Sequence, residues 1–177
     1  MLHPLFYAPS IFGALLDTEK GGFFSIAPQD TPEMDQKQYY LPETNILITL
    51  TRFTAEADPC ILRTIERIQK ELTHEPHVYR YRVDAAADDG LAGHEGTFSI
   101  CSFWLVEALT RAGRLEEARQ NLEQMLTYAN HLGLYSEEVG PVGEALGNFP
   151  QAFTHLALIS ACHALDQALG EASSDRL

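Results

Sequence analysis

FSICSFWLVEALTRAGRLEEARQNLEQML, residues 98–126, is the stretch that decides how this chain folds. Phe98, Cys101, Leu105, Ala108 and Ala112 recur at helical spacing, and Gly113 can end the run in the left-handed conformation open to glycine. Leu115, Ala118, Leu122, Met125, Ala129 and Leu132 resume the period, which predicts a further helix ending at Gly133. Only Gly113 and Arg114 separate the two runs, so they should form an antiparallel hairpin. The first run is apolar over most of its circumference, through Phe98, Ile100, Cys101, Phe103, Trp104, Leu105 and Val106, and must be buried on several sides. The second carries Glu116, Glu117, Arg119, Gln120 and Glu123 on one side, which suits an outer layer. An inner helix backed by an outer one is the unit of a double-ring helical toroid or of a helical solenoid.

Working outward, Ile61, Ile65, Ile68 and Leu72 predict a helix over residues 59–72, with Asp58 to cap it and Pro59 in its first turn. Downstream, Asn148 and Gln151 fit a variant of the capping box with Pro150 in the first turn. Phe153, Leu156, Ala157, Ser160 and Ala164 are the face this last helix should bury. Before residue 51 the pattern is different. Short apolar runs such as Phe23-Phe24 with Ile26, Tyr39-Tyr40-Leu41 and Ile46-Leu47-Ile48 are interrupted by Pro28, Pro32 and Pro42, which reads as loops and short strands. A boundary is expected near residues 48–55, dividing the chain into residues 1–50 and residues 51–177.

The 177 residues, 45 % apolar and 21 % charged, are enough for a packed core. A formal charge of −13 disfavours nucleic acid, because a phosphate backbone is bound by clustered Lys and Arg. Cys60, Cys101 and Cys162 are odd in number and far apart, which argues against a disulfide framework and for reduced thiols. Residues 1–16 are apolar but lack a basic start and contain Pro4 and Pro9, and no other stretch approaches the roughly 20 apolar residues of a membrane span. No membrane partner and a cytoplasmic location are expected.

Two loops combine acids and glycines at helix ends: residues 88–96, with Asp88, Asp89 and Glu95, and residues 134–141, with Glu137 and Glu138. Such loops can build a polyol-binding or hydrolytic site, and solvated loop acids are the simpler reading of the pattern alone. His74 and His77 flank Glu75-Pro76, where proline breaks the helical spacing that would align two ligands, so no metal and no cofactor are expected. Cys101 falls inside the apolar helix, where a thiol is inert core rather than a nucleophile.

At these loops the chain resembles glycoside hydrolase family 15, which includes bacterial glucoamylases and related trehalases. The resemblance runs in order through Tyr79-Arg80-Tyr81, Asp89-Gly90-Leu91-Ala92-Gly93-His94-Glu95-Gly96-Thr97-Phe98 and Cys101 to Leu109. It continues through Ala112-Gly113-Arg114, Leu134-Tyr135-Ser136-Glu137-Glu138 and Gly147-Asn148-Phe149-Pro150-Gln151-Ala152-Phe153-Thr154-His155. Residues 9–17, 21–28 and 40–47 resemble the β-sandwich that precedes the catalytic domain in that family. The implied fold is mainly α: the C-terminal portion of an (α/α)6 toroid, residues 51–177, after a short β and loop remnant of the sandwich, residues 1–50.

The resemblance implies an inverting hydrolase acting on α-glucosidic bonds, of glucoamylase or trehalase type. It places the general base in the Ser-Glu-Glu loop at Glu137, with Glu138 as the alternative, and implies substrate-binding roles for Glu95 and Tyr135. The family's general acid is expected beside an Ile-Trp-Glu type motif, whereas the single tryptophan here, Trp104, belongs to a different match. The chain is therefore expected to be internally deleted or truncated and inactive alone, with an α-linked oligosaccharide or trehalose as its substrate class. Two alternatives stand beside this. Ala112 to Ala118 also resembles the turn of a tetratricopeptide hairpin, a helical interaction module, although no second copy lies about 34 residues away. The chain could equally complete a site with another chain, and exposed apolar helix faces would favour self-association.

Overall fold

The computed structural model describes residues 58–74, 76–80 and 96–174, residue 50, and the backbone of four short strands before it. Those strands, β1 (Leu2–Pro4), β2 (Ala14–Asp17), β3 (Phe23–Ile26) and β4 (Tyr39–Tyr40), pair antiparallel in chain order. Of the expected short strands, those at Phe23–Ile26 and Tyr39–Tyr40 are present, and the run at residues 46–48 lies outside the described residues. The junction expected at 48–55 lies outside the described residues, apart from Leu50.

The rest is mainly helical. Helix α1 (Pro59–Leu72) has the predicted bounds, and Ile61, Ile65, Ile68 and Leu72 are all buried, so the 3.6-residue spacing named the correct face. It leads into the hairpin β5 (Thr73–His74) and β6 (His77–Val78). Then come β7 (Thr97–Phe98), α2 (Ser99–Arg111), α3 (Leu115–Leu126), β8 (Glu138–Val139), β9 (Ala145–Leu146) and α4 (Ala152–Ser174). Strands β7, β8 and β9 form a small antiparallel sheet with β8 in the middle.

Helix α2 is the centre of the core. Ten of its residues, Ser99, Cys101 to Phe103 and Leu105 to Thr110, are buried. It packs against α3 on one side and α4 on another. Its end is a Schellman motif: the Arg114 amide reaches the Leu109 carbonyl at 2.9 Å, the Gly113 amide reaches Thr110 at 3.0 Å, and Gly113 has φ 74°. This tight reversal makes the predicted hairpin. Helix α3 buries only Ala118 and Met125, and Arg119 bridges Glu116 and Glu123 on its solvent side, as an outer-layer helix should. One carboxylate among the described residues is inside. Glu107 on α2 is 5 % exposed and satisfied by Arg111 (Nη2 at 2.7 Å, Nε at 3.1 Å) and by the Ser160 hydroxyl of α4 at 2.7 Å.

Three expectations are corrected. Helix α3 ends at Leu126 rather than Gly133. The Asn130 side-chain oxygen accepts from the amides of Leu132 and Leu134, both at 2.9 Å, and this local turn outcompetes the helical ladder, leaving Leu132 68 % exposed. Phe98 belongs to β7 and flanks α2 instead of lying within it. On α4 the buried residues are Thr154, Ala157, Ala161 and Leu165, while Phe153, Leu156 and Ser160 of the predicted face are exposed. Small side chains let the α4 backbone lie close to α2, so packing selected the narrow stripe over the large apolar one. No helix among the described residues is long and apolar enough to cross a membrane.

Candidate functional site

Residues 134–139 run extended from the turn after α3 into β8, and three anchors fix them. The Tyr135 carbonyl accepts from Gln151 at 3.0 Å, the Ser136 hydroxyl donates to the Glu138 carbonyl at 2.7 Å, and the Thr154 hydroxyl of α4 donates to the Ser136 carbonyl at 3.3 Å. Glu137 is clamped on both sides of its backbone. Its carbonyl accepts the first amide of α2, Ser99, at 3.0 Å, and its own amide donates to the Asn148 carbonyl at 2.9 Å. An otherwise unpaired helix N-terminal amide is thereby satisfied by the residue that carries the candidate base.

Among the described residues the Glu137 carboxylate is held by Asn148 alone. Both the Asn148 amide, at 3.0 Å, and its side-chain Nδ2, at 2.8 Å, donate to Oε2. No hydrogen bond to Oε1 is made among the described residues, so one oxygen is fixed and the other can take a proton. Gly147 makes this possible. It has φ 70°, and a Cβ there would lie 2.9 Å from both Cβ and Oε2 of Glu137. Asn148 was expected to cap α4; instead α4 starts at Ala152, Gln151 supplies the first accepting carbonyl to His155 at 3.3 Å, and Asn148 serves the carboxylate. Gly147 and Asn148 are the candidate-site residues that sequence reasoning missed, although both stand in the matched stretch.

Glu138, the alternative base, turns to a different partner. Its Oε2 accepts from the Gly96 amide at 2.9 Å, across the β7–β8 ladder. Gly96 is constrained by this approach, since a Cβ would meet the Val139 carbonyl oxygen at 2.7 Å. Tyr135 is 2 % exposed, with its ring edge-on to Phe103 at 5.4 Å and to His155 at 5.8 Å. Burial, and then the nearby Cys162, push its phenol above the usual range. The His155 ring completes the support: Nε2 accepts from the Tyr135 amide at 3.3 Å, which assigns the proton to Nδ1, facing the Gln151 carbonyl at 2.6 Å. Glu95 and the rest of the loop 88–95 lie outside the described residues. The Arg80 guanidinium sits over the Phe98 ring at 4.7 Å.

Among the described residues no three His, Cys, Asp or Glu side chains group as metal ligands. Cys101 is buried in the core, as its place in the apolar helix implied.

The comparisons with known proteins agree on one family. The family model for glycosyl hydrolases family 15 matches residues 15–163. A trehalase of Mycolicibacterium smegmatis is 52 % identical over 130 residues, covering 73 % of this chain and 19 % of the relative. A trehalase of Mycobacterium tuberculosis is 51 % identical over the same shares, and one from Thermoplasma volcanium is 44 % identical over 147 residues, 79 % of this chain and 23 % of its own length. The chain thus spans about a fifth of the length of the curated relatives it matches. No solved structure matches it significantly. A match across most of the chain, containing the clamped glutamate and the hairpin on which it rests, means that the chain belongs to glycosyl hydrolases family 15.

Proposed function

We propose that this chain carries the general-base half of an inverting α-glucosidic hydrolase site, with Glu137 as the base and trehalose as the substrate. The observation that carries this is the asymmetric clamp on Glu137: Oε2 takes both Asn148 donors while Oε1 is left to receive the proton of an attacking water. The relatives' names favour trehalose over other α-glucosides. Inversion also needs an acid roughly 6.5–9.5 Å from the base, on the opposite face of the sugar. Glu138 is turned to the Gly96 amide and is not offered for that role. The family resemblance puts the acid beside an Ile-Trp-Glu type motif, which these 177 residues do not contain, and on this reading the chain alone leaves trehalose intact. Glu95 belongs with the sugar-binding residues; Tyr135, expected among them, is buried beneath the loop and on this reading positions it instead. On this reading residues 51–177 are the C-terminal portion of an (α/α)6 toroid and residues 1–50 a remnant of a β-sandwich.

A chimera tests the assignment. Residues 96–163 of this chain are placed in the Mycolicibacterium smegmatis trehalase in place of its own, and glucose release is measured. Glu137→Gln should lower kcat about 10²- to 10⁴-fold, the usual worth of acid–base catalysis, and Glu138→Gln should cost less. The reverse order would move the base to Glu138. Glucose release from trehalose or maltose by the unfused chain would refute the missing-acid reading.

A second reading, in which the fragment completes a site with another chain, is favoured by one observation. Phe153, Leu156 and Ile159 are 67 %, 61 % and 63 % exposed along one side of α4, an apolar stripe that suits a partner helix.

A further inference from the structure

A cavity of about 220 Å³ lies at the hairpin β5–β6, bounded by His74, His77, Tyr79, Thr97 and Tyr128 and closed by the loop from Val139 to Gly143. Neither Gly147 nor Asn148, which hold the Glu137 carboxylate, borders it. His77 is the unusual member. It is only 7 % exposed, yet neither ring nitrogen has a hydrogen-bond partner among the described residues. Its ring is held edge-on to Tyr128 at 4.3 Å and 76°. A buried imidazole with both nitrogens unpaired costs free energy unless something else satisfies it.

We propose that this cavity is a second binding site, taking one neutral, polyhydroxylated ring such as a single hexose unit against His77 and Tyr128. Size sets the first limit: drug-sized ligands occupy roughly 300–1,000 Å³, so a smaller cavity admits one ring at most. Charge sets the second. Burial, and then His74, hold the His77 imidazole below its usual range, so near pH 7 it is neutral and offers one N–H and one lone pair. A hydroxyl group can meet both needs, whereas an anion can use only the donor. Tyr128 and Tyr79 present ring surface for the C–H face of such a ligand, and the Thr97 hydroxyl, already donating to the Val139 carbonyl at 3.1 Å, can still accept. The cavity also touches Gly96, whose amide bonds Glu138, but none of the residues that clamp the Glu137 carboxylate, so the proposal does not rest on the role given to Glu137.

The test is a titration of the full chain followed by NMR of its histidine imidazoles, with glucose, trehalose and inorganic phosphate as separate probes. Glucose should shift the His77 resonances saturably. His77→Phe, which keeps ring volume, should weaken binding on the order of tenfold when followed by the His74 resonances, the effect of losing a buried hydrogen-bonding pair. Should His77→Phe fail to fold, the half-exposed Tyr128→Ser serves in its place, read by the same resonances. Three results would overturn the proposal: shifts with phosphate alone, no saturable shift with any sugar, or sugar shifts that vanish in Glu137→Gln while surviving in both cavity variants.

Discussion

Helices α2 and α4 look alike as strings of residues and are used differently. Both are apolar around most of their circumference. Helix α2 is buried over ten of its thirteen residues, including Phe103, Leu105, Val106 and Leu109. Helix α4, with 23 residues, buries only Thr154, Ala157, Ala161 and Leu165, and turns Phe153, Leu156 and Ile159 to the outside. Apolar character therefore says that a helix wants cover on several sides, not that it has it. Where small residues occur at i, i+3, i+7 they let two helix backbones approach, and that approach decides which side is used.

The contrast can be broken by substitution, starting where the loss should be greatest. Phe103→Ala on α2 removes a fully buried ring and should cost about 3–5 kcal/mol in urea unfolding, with the two-state slope retained. Ala161→Leu, on the buried stripe of α4, should cost about 1–3 kcal/mol by overpacking against α2, although it adds apolar surface. Ser160→Ala removes a hydroxyl bonded to the buried Glu107 and should cost about 1 kcal/mol, more than an exposed helix position normally does. Smallest of all, Leu156→Gln should change stability by less than about 0.5 kcal/mol and shift any self-association towards monomer on size-exclusion chromatography. A large destabilisation by Leu156→Gln in the monomer would show that the outward stripe is covered and that the two helices do not differ.

The same contrast bears on the candidate site, which rests on the ends of both helices. Ser99 opens α2 and bonds the Glu137 carbonyl; Thr154 in the first turn of α4 bonds the Ser136 carbonyl. Gly147→Ala sharpens the point. It should displace the Glu137 side chain, because the new methyl would sit 2.9 Å from its Oε2 in a backbone conformation with φ 70°, while the α2 core stays intact. In the active chimera the expected signature is a loss of kcat with little change in unfolding midpoint.

By itself the sequence determined a good deal. The bounds of α1 and its buried isoleucines follow from 3.6-residue spacing, and the reversal at Gly113 follows from glycine's access to positive φ. The Ser136-Glu137-Glu138 segment stands in a match in fixed order that the family model supports at the level of the family, and the choice of Glu137 within it is a proposal. Other features depended on contacts between residues distant in the chain. Asn148 read as a helix cap because capping is local, whereas its partner Glu137 is eleven residues away and becomes a neighbour when β8 pairs with β9. The end of α3 was decided by one asparagine side chain competing with the helix, which hydrophobic periodicity does not register. Burial on α4 was likewise a tertiary matter: periodicity finds apolar residues, and close packing then selects among them by size.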